Sequence, residues 1–243
     1  ESDFNLDDEE MAKAGLHFGH RAASVHPKMT PFLFGVRNTV HLIDLEKTKE
    51  KFSHALAFLQ KAVAEQKNVL LVGTKVQAKD LLKEVAKECD LPYVAERWLG
   101  GTLTNFDIIK KRTAHFKDLE KQKKEGELEK YTKKERALLD KELRDLETKF
   151  GGIKDLEKLP DVIFVLDIKK DALAVKEARM KGIKVVGVSD TNTDPTLVDY
   201  PIPANDDAAS SITYILNKVK EAILEGKSEI RNTKSETDSK DGK

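Results

Sequence analysis

The chain has 243 residues and carries 43 Lys and Arg against 43 Asp and Glu, so its zero net charge neither announces nor excludes a polyanionic partner. A hydrophobic content of 39% supplies one core, and the length suits one α/β domain plus an insertion; the 35% charged content calls for extensive solvated helix surface. The single cysteine, Cys89, excludes a disulfide framework and fits a reducing cytoplasm. No apolar run reaches membrane-spanning length, and the acidic amino terminus is unlike a signal peptide.

Residues 1–10 carry only acidic charge and read as an acidic amino-terminal extension. Residues 11–54 hold a basic excess and five of the six histidines, so overall neutrality conceals a locally positive region. The extended runs 31–35 and 39–43 predict a β-hairpin with Arg37 and Asn38 at its tip. Near-continuous apolar runs at 68–73, 161–166 and 184–189, with shorter ones at 92–95 and 200–202, predict parallel strands covered on both faces. Helical patterns over 45–66, 75–88, 171–181 and 206–225 alternate with them, which implies a three-layer α/β/α domain with right-handed crossovers. That domain takes 11–102 and 151–225.

Residues 103–150 break the alternation. Phe106, Ile109, Thr113 and Phe116 recur at helical steps, as do Leu139, Leu143, Leu146 and Phe150. Glu125-Gly126-Glu127 separates the two patterns, and Thr132 to Glu135 has capping-box spacing. An inserted antiparallel coiled-coil hairpin is predicted, all charged outside a narrow seam. Thr102 or Thr104 is expected to start its outgoing helix, with Trp98 anchoring its base against the sheet. Residues 226–243 are too polar to fold alone and are expected to form a disordered tail.

A doubly wound sheet places ligand sites at the carboxyl ends of its strands. Those ends hold Gly73-Thr74-Lys75, Asp167 and Ser189-Asp190, which could serve a nucleotide- or metal-dependent enzyme. No glycine-rich phosphate loop accompanies them, and the plainer reading is helix caps and turns. His17 and His20 have metal-ligand spacing, so a structural zinc or magnesium is an alternative, although no cysteine supports it. Cys89 ends a helical pattern and reads as a small core residue. RNA binding wants mobile cations with histidine or aromatic faces on loops. Candidates are His17, His20, Arg21, His26, Lys28, Arg37 and Asn38, with Arg97, Asn105, Lys110, Lys111 and Arg112 at the hairpin base. A coiled-coil adaptor, dependent on 107–149 for its partner, is a third reading.

Several blocks, in order from about residue 11 to 225, carry a family resemblance. They include Ala14-Gly15-Leu16-His17-Phe18-Gly19-His20, Pro27-Lys28-Met29, His41-Leu42-Ile43-Asp44-Leu45-Glu46-Lys47-Thr48, Arg97-Trp98-Leu99-Gly100-Gly101-Thr102-Leu103-Thr104-Asn105-Phe106 and Asp199-Tyr200-Pro201-Ile202-Pro203-Ala204-Asn205-Asp206-Asp207. The chain resembles the bacterial-type family of the second protein of the small ribosomal subunit. The resemblance implies a flavodoxin-like sheet with a helical-hairpin insertion and no catalytic activity; some members are zinc-associated, but this chain supplies no cysteine set for it, and no cofactor is expected. It also implies a cytoplasmic, ribosome-bound structural role during translation. The implied partners are small-subunit ribosomal RNA and neighbouring ribosomal proteins, among them the large messenger-RNA-recruiting protein S-one. Where many relatives carry an arginine- and aromatic-rich run before Pro-Lys-Met, this chain has Arg21-Ala22-Ala23-Ser24-Val25-His26. Arg21, His26 and Lys28 are the candidates that remain in that loop.

Overall fold

A computed structural model describes residues 4–238. Its centre is a five-stranded parallel sheet of β4 (Val69–Val72), β5 (Tyr93–Val94), β6 (Val162–Val165), β7 (Lys184–Ser189) and β8 (Tyr200–Pro203). Their order is β5-β4-β6-β7-β8, so the chain starts near one edge, turns outward once, then winds back across. In-register pairing such as Val69 with Val162 and Val162 with Lys184 fixes which side chains share a face. Because side chains alternate along a strand, β4 sends Val69 and Leu71 to one core and Leu70 and Val72 to the other. Both halves are fully buried, which is why the run is apolar throughout.

The first core is covered by α2 (Leu45–Ala64), α3 (Lys79–Glu88) and α7 (Ala209–Asp238). Phe52, Leu56 and Leu59 of α2 meet Ile212, Ile215, Leu216 and Val219 of α7 there. Asp44 caps α2 by accepting from the Glu46 and Lys47 amides, as an Asp before an amphipathic run should. The second core lies under α6 (Ala172–Met180) and the bases of α4 (Phe106–Lys124) and α5 (Lys133–Phe150).

Four expectations change. The amino-terminal acidic stretch is not a free extension: α1 (Asp8–Ala14) packs on the first core through Met11, and Phe4 and Leu6 are buried beside it. Its charges occupy the outward side, where Lys49 lies 3.2 Å from Asp8. The predicted hairpin forms from β2 (Leu33–Arg37) and β3 (Val40–Ile43), but its two-residue tip is Asn38-Thr39. Both tip residues have positive φ, the geometry that matches strand twist in a two-residue loop. A further strand, β1 (Phe18–Arg21), pairs with β3 and completes a three-stranded antiparallel sheet. It has too few apolar residues to stand out in the sequence.

The outgoing helix begins at Phe106, one step after Asn105, rather than at Thr102 or Thr104. Thr102 instead donates to the Leu99 carbonyl at 2.6 Å, and Thr104 is held by α6. Finally, α7 continues through the stretch read as a tail as far as Asp238; residues 239–243 lie outside the described residues. Gly226 explains why the packing extends beyond 225. A Cβ there would stand 2.5 Å from the Gln60 carbonyl, so the two helices touch through that glycine.

Helices α4 and α5 lie against each other through the two residue sets read from the sequence. Ile109, Thr113, Phe116 and Leu119 of α4 are buried, as are Leu143, Leu146 and Phe150 of α5. Lys123–Asp140 at 2.7 Å and His115–Glu142 at 3.2 Å link their flanks. Gly126, with φ of 74°, turns the chain between them, and the capping box of Thr132 and Glu135 starts α5.

Candidate nucleic-acid interface

At the strand ends, the crevice that would receive a ligand is filled by the chain itself. Lys75 follows β4 and reaches Asp206 at 2.6 Å, Asp207 at 2.7 Å and Asp167 at 2.9 Å. Burial alone would lower the Lys75 pKa, but the surrounding carboxylates outweigh it and raise it. His20, from β1, closes the far side with 3.1 Å to Asp190 and 3.3 Å to Asp207. The hydrogen bond to Asp190 raises its pKa against the opposing effect of burial. Asp167 also accepts from the Lys169 and Lys170 amides. Asp171 holds the Thr74 amide and hydroxyl at 3.2 and 2.9 Å. Lys75 thus pairs with Asp167, Thr74 with Asp171 and Asp190 with His20, so each of these strand-end side chains already has a partner within the fold, which corrects the catalytic alternative for them. Ser189 is fully buried behind them.

His17 and His20 do not converge. The His17 ring packs on Phe18, centroids 4.0 Å apart, and burial lowers its pKa. Among the described residues no group of three or more His, Cys, Asp or Glu side chains could hold a metal ion.

The amino-terminal segment is tied to the end of β7. The His20 amide donates to the Thr191 hydroxyl and the His26 amide to the Thr191 carbonyl. Gly19 is required for this seat, because a Cβ would strike the Thr191 side chain. Two candidates are partly spent on this folding. His26 accepts the Lys28 amide through Nδ1, and Lys28 reaches Asp194 at 2.8 Å and Thr196 at 2.9 Å. Burial pushes Asp194 up, but Lys28 and Thr196 prevail and hold it down at about 2. Arg21, Arg37 and Asn38 are exposed around the three-stranded sheet, and among the described residues neither arginine makes an ion pair. Phe34, at 79% exposed, stands out from the same sheet.

Where the chain leads into α4, Trp98 is buried in one cluster with Leu103, Ile109 and Phe150. Its partner was not anticipated. Glu177, on α6 and only 3% exposed, accepts from the Trp98 indole at 3.3 Å. It also accepts from the amides of Gly101 at 2.8 Å, Leu103 at 2.9 Å and Thr104 at 3.1 Å, and from the Thr104 hydroxyl. Burial alone would raise its pKa, but these donors prevail and lower it. Gly101 turns here with φ of 92°, aiming its amide at the carboxylate. The available signal was a carboxylate on the apolar stripe of α6, three residues after Ala174 and next to Ala178. With this junction fixed, Arg97, Asn105, Lys110, Lys111 and Arg112 stand exposed around it.

Residues 11–226 match the family described as Ribosomal protein S2. One similar relative, from a Nitratiruptor species, is named small ribosomal subunit protein uS2. It is 46% identical over 218 residues, covering 90% of this chain and 82% of the relative. Another of the same name, from Coprothermobacter proteolyticus, is 45% identical over 218 residues, covering 90% and 81%. With a match of that span and identity, the chain belongs to the ribosomal protein S2 family.

Proposed function

We propose that this protein is a non-catalytic structural constituent of the small ribosomal subunit, bound there to ribosomal RNA and neighbouring proteins during translation. The observation that carries this is the family match from 11 to 226. Arg21, Arg37, Arg97, Lys110, Lys111 and Arg112, exposed and without an ion pair among the described residues, supply phosphate-binding charge despite overall neutrality. His20, His26 and Lys28 hold the segment that carries Arg21, and His17, Asn38 and Asn105 are further RNA contacts on this reading. Ribosomes place the protein in the cytoplasm, and the role needs no cofactor.

We read the sheet, in its β5-β4-β6-β7-β8 order, as flavodoxin-like. On this reading α4 and α5 form an inserted coiled-coil hairpin, and the rest of the chain acts as the rigid body that holds RNA by shape and backbone. The sheet bearing Phe34 offers a protein-facing surface, with the messenger-RNA-recruiting protein S-one as the partner we assign to the assembly.

Sedimentation of cell lysate tests the function. The chain should travel with the small subunit and dissociate as salt rises; tight mononucleotide binding by calorimetry would refute the role. Arg37→Glu should leave the melting temperature within about 1 °C, since surface changes cost little. It should still weaken subunit incorporation and lower the salt dependence by about one unit of log–log slope. Unchanged incorporation removes Arg37 from the interface. Lys28→Glu is a poorer probe, because it would set two carboxylates against each other at Asp194.

A further inference from the structure

A basic concavity lies away from the amino-terminal segment, at the β5 edge of the sheet. It is a cleft of roughly 680 Å³ between α3, β5 and the base of α5, a size typical of ligand sites. Six cations line it: Lys83, Lys87, Arg97, Arg144, Lys149 and Lys154. Two carboxylates, Glu96 and Glu147, share the lining. Glu96 is already claimed by Lys79 and Lys83, which hold its pKa down, and Lys154 lies 3.4 Å from Glu120. Among the described residues, Lys87, Arg97, Arg144 and Lys149 make no ion pair.

Four unpaired cations facing one cavity repel one another, and a bound anion would relieve that repulsion. They come from three separate elements, so folding, not one charged helix face, assembles them. The architecture holds them firmly. Gly152 sits where a Cβ would strike the Tyr93 carbonyl, so the end of α5 is seated directly on β5.

We infer that this cleft seats the sugar–phosphate backbone of RNA, as a second contact separate from the Arg21 and Arg37 surface. The inference rests on the ribosomal role proposed above. Arg97 and Arg144 offer planar forks for phosphate oxygens, and Lys87 and Lys149 add point charges that follow a flexible backbone. A protein partner would need a buried apolar anchor at the centre of its contact. In the cleft Phe116 is 1% exposed and already committed to the second core, which leaves the half-buried Tyr93 beside six cations.

Cross-linking in assembled subunits tests it. Cys89 is buried, and burial pushes its thiol up to about 11, so an added surface cysteine is labelled selectively. Thr148→Cys carries an azidophenyl probe in the cleft without removing a cation, and Ser24→Cys carries it beside Arg21 as the reference. Ribosomal RNA cross-linked from both positions supports the inference. RNA cross-linked from Ser24→Cys, with only protein or nothing from Thr148→Cys, overturns the cleft and leaves the ribosomal role standing. Failure of the unaltered chain to enter small subunits overturns both. Arg97→Glu with Arg144→Glu should reduce incorporation on the order of tenfold at physiological salt while leaving melting unchanged; undiminished incorporation also overturns the cleft.

Discussion

Glu177→Ala is expected to cost at least ~4 kcal/mol of folding stability. Truncation leaves the Trp98 indole and the amides of Gly101, Leu103 and Thr104 without their acceptor. Each buried donor left unsatisfied costs about 1–3 kcal/mol. Trp98→Ala attacks the same junction through packing and should cost roughly 3–5 kcal/mol. Because both residues serve one junction, the double variant should lose less than the sum of the two. Urea unfolding of the four proteins measures this cycle, and strict additivity would show that Glu177 and Trp98 act apart. Glu177→Gln keeps the shape but offers one carbonyl oxygen for donors now shared by two, so it should fall between wild type and Glu177→Ala. The depressed Glu177 pKa adds a pH signature. Its contribution is present above the ordinary glutamate pKa and is lost as pH falls through the lower folded value.

Lys75→Met should destabilise by about 3–5 kcal/mol, the usual consequence of removing one partner from a buried ionic cluster. Asp167, Asp190, Asp206 and Asp207 share one lysine and one histidine, so the cluster already lacks positive charge. Burial, followed by Asp190 and Asp167, pushes Asp206 up to about 7. An acid raised on folding stabilises the fold in its protonated form. That contribution is complete below the ordinary value of 3.8 and is lost as pH rises through about 7. The raised His20 acts in the same direction, since its charged form is favoured in the fold and that gain is lost at higher pH. Without Lys75 the carboxylates repel more strongly, so the loss in Lys75→Met should be larger at pH 8 than at pH 5. Equal losses at both pH values would mean that the lysine contributes packing alone.

The sheet was legible because strands buried on both faces leave a continuous apolar run, as 69–72 and 162–165 do. Helices α4 and α5 were legible for a related reason: a narrow seam between charged flanks leaves only helical spacing to read. What escaped notice depended on distant partners. β1 is a strand because β3 hydrogen-bonds to it, not because of its own composition. α1 is held by Met11 against helices far along the chain, and its acidic outer face hid that single anchor. Among the candidate contacts, Arg21, Arg37 and the 110–112 cluster are exposed as basic turns and helix faces should be. Lys28 and His20 met carboxylates about 170 positions away, a pairing that no local pattern reveals. The cleft likewise joins Lys87, Arg97 and Arg144 from separate elements.

Phe116 and Phe150 belong to the same core as Leu70 and Val72, so the roots of α4 and α5 are one wall of the domain. α4 and α5 are therefore not a module that can be removed without touching that core. Excising the two helices would uncover the part of the second core that α6 does not cover, and any lost activity would then report a damaged core and not a missing contact.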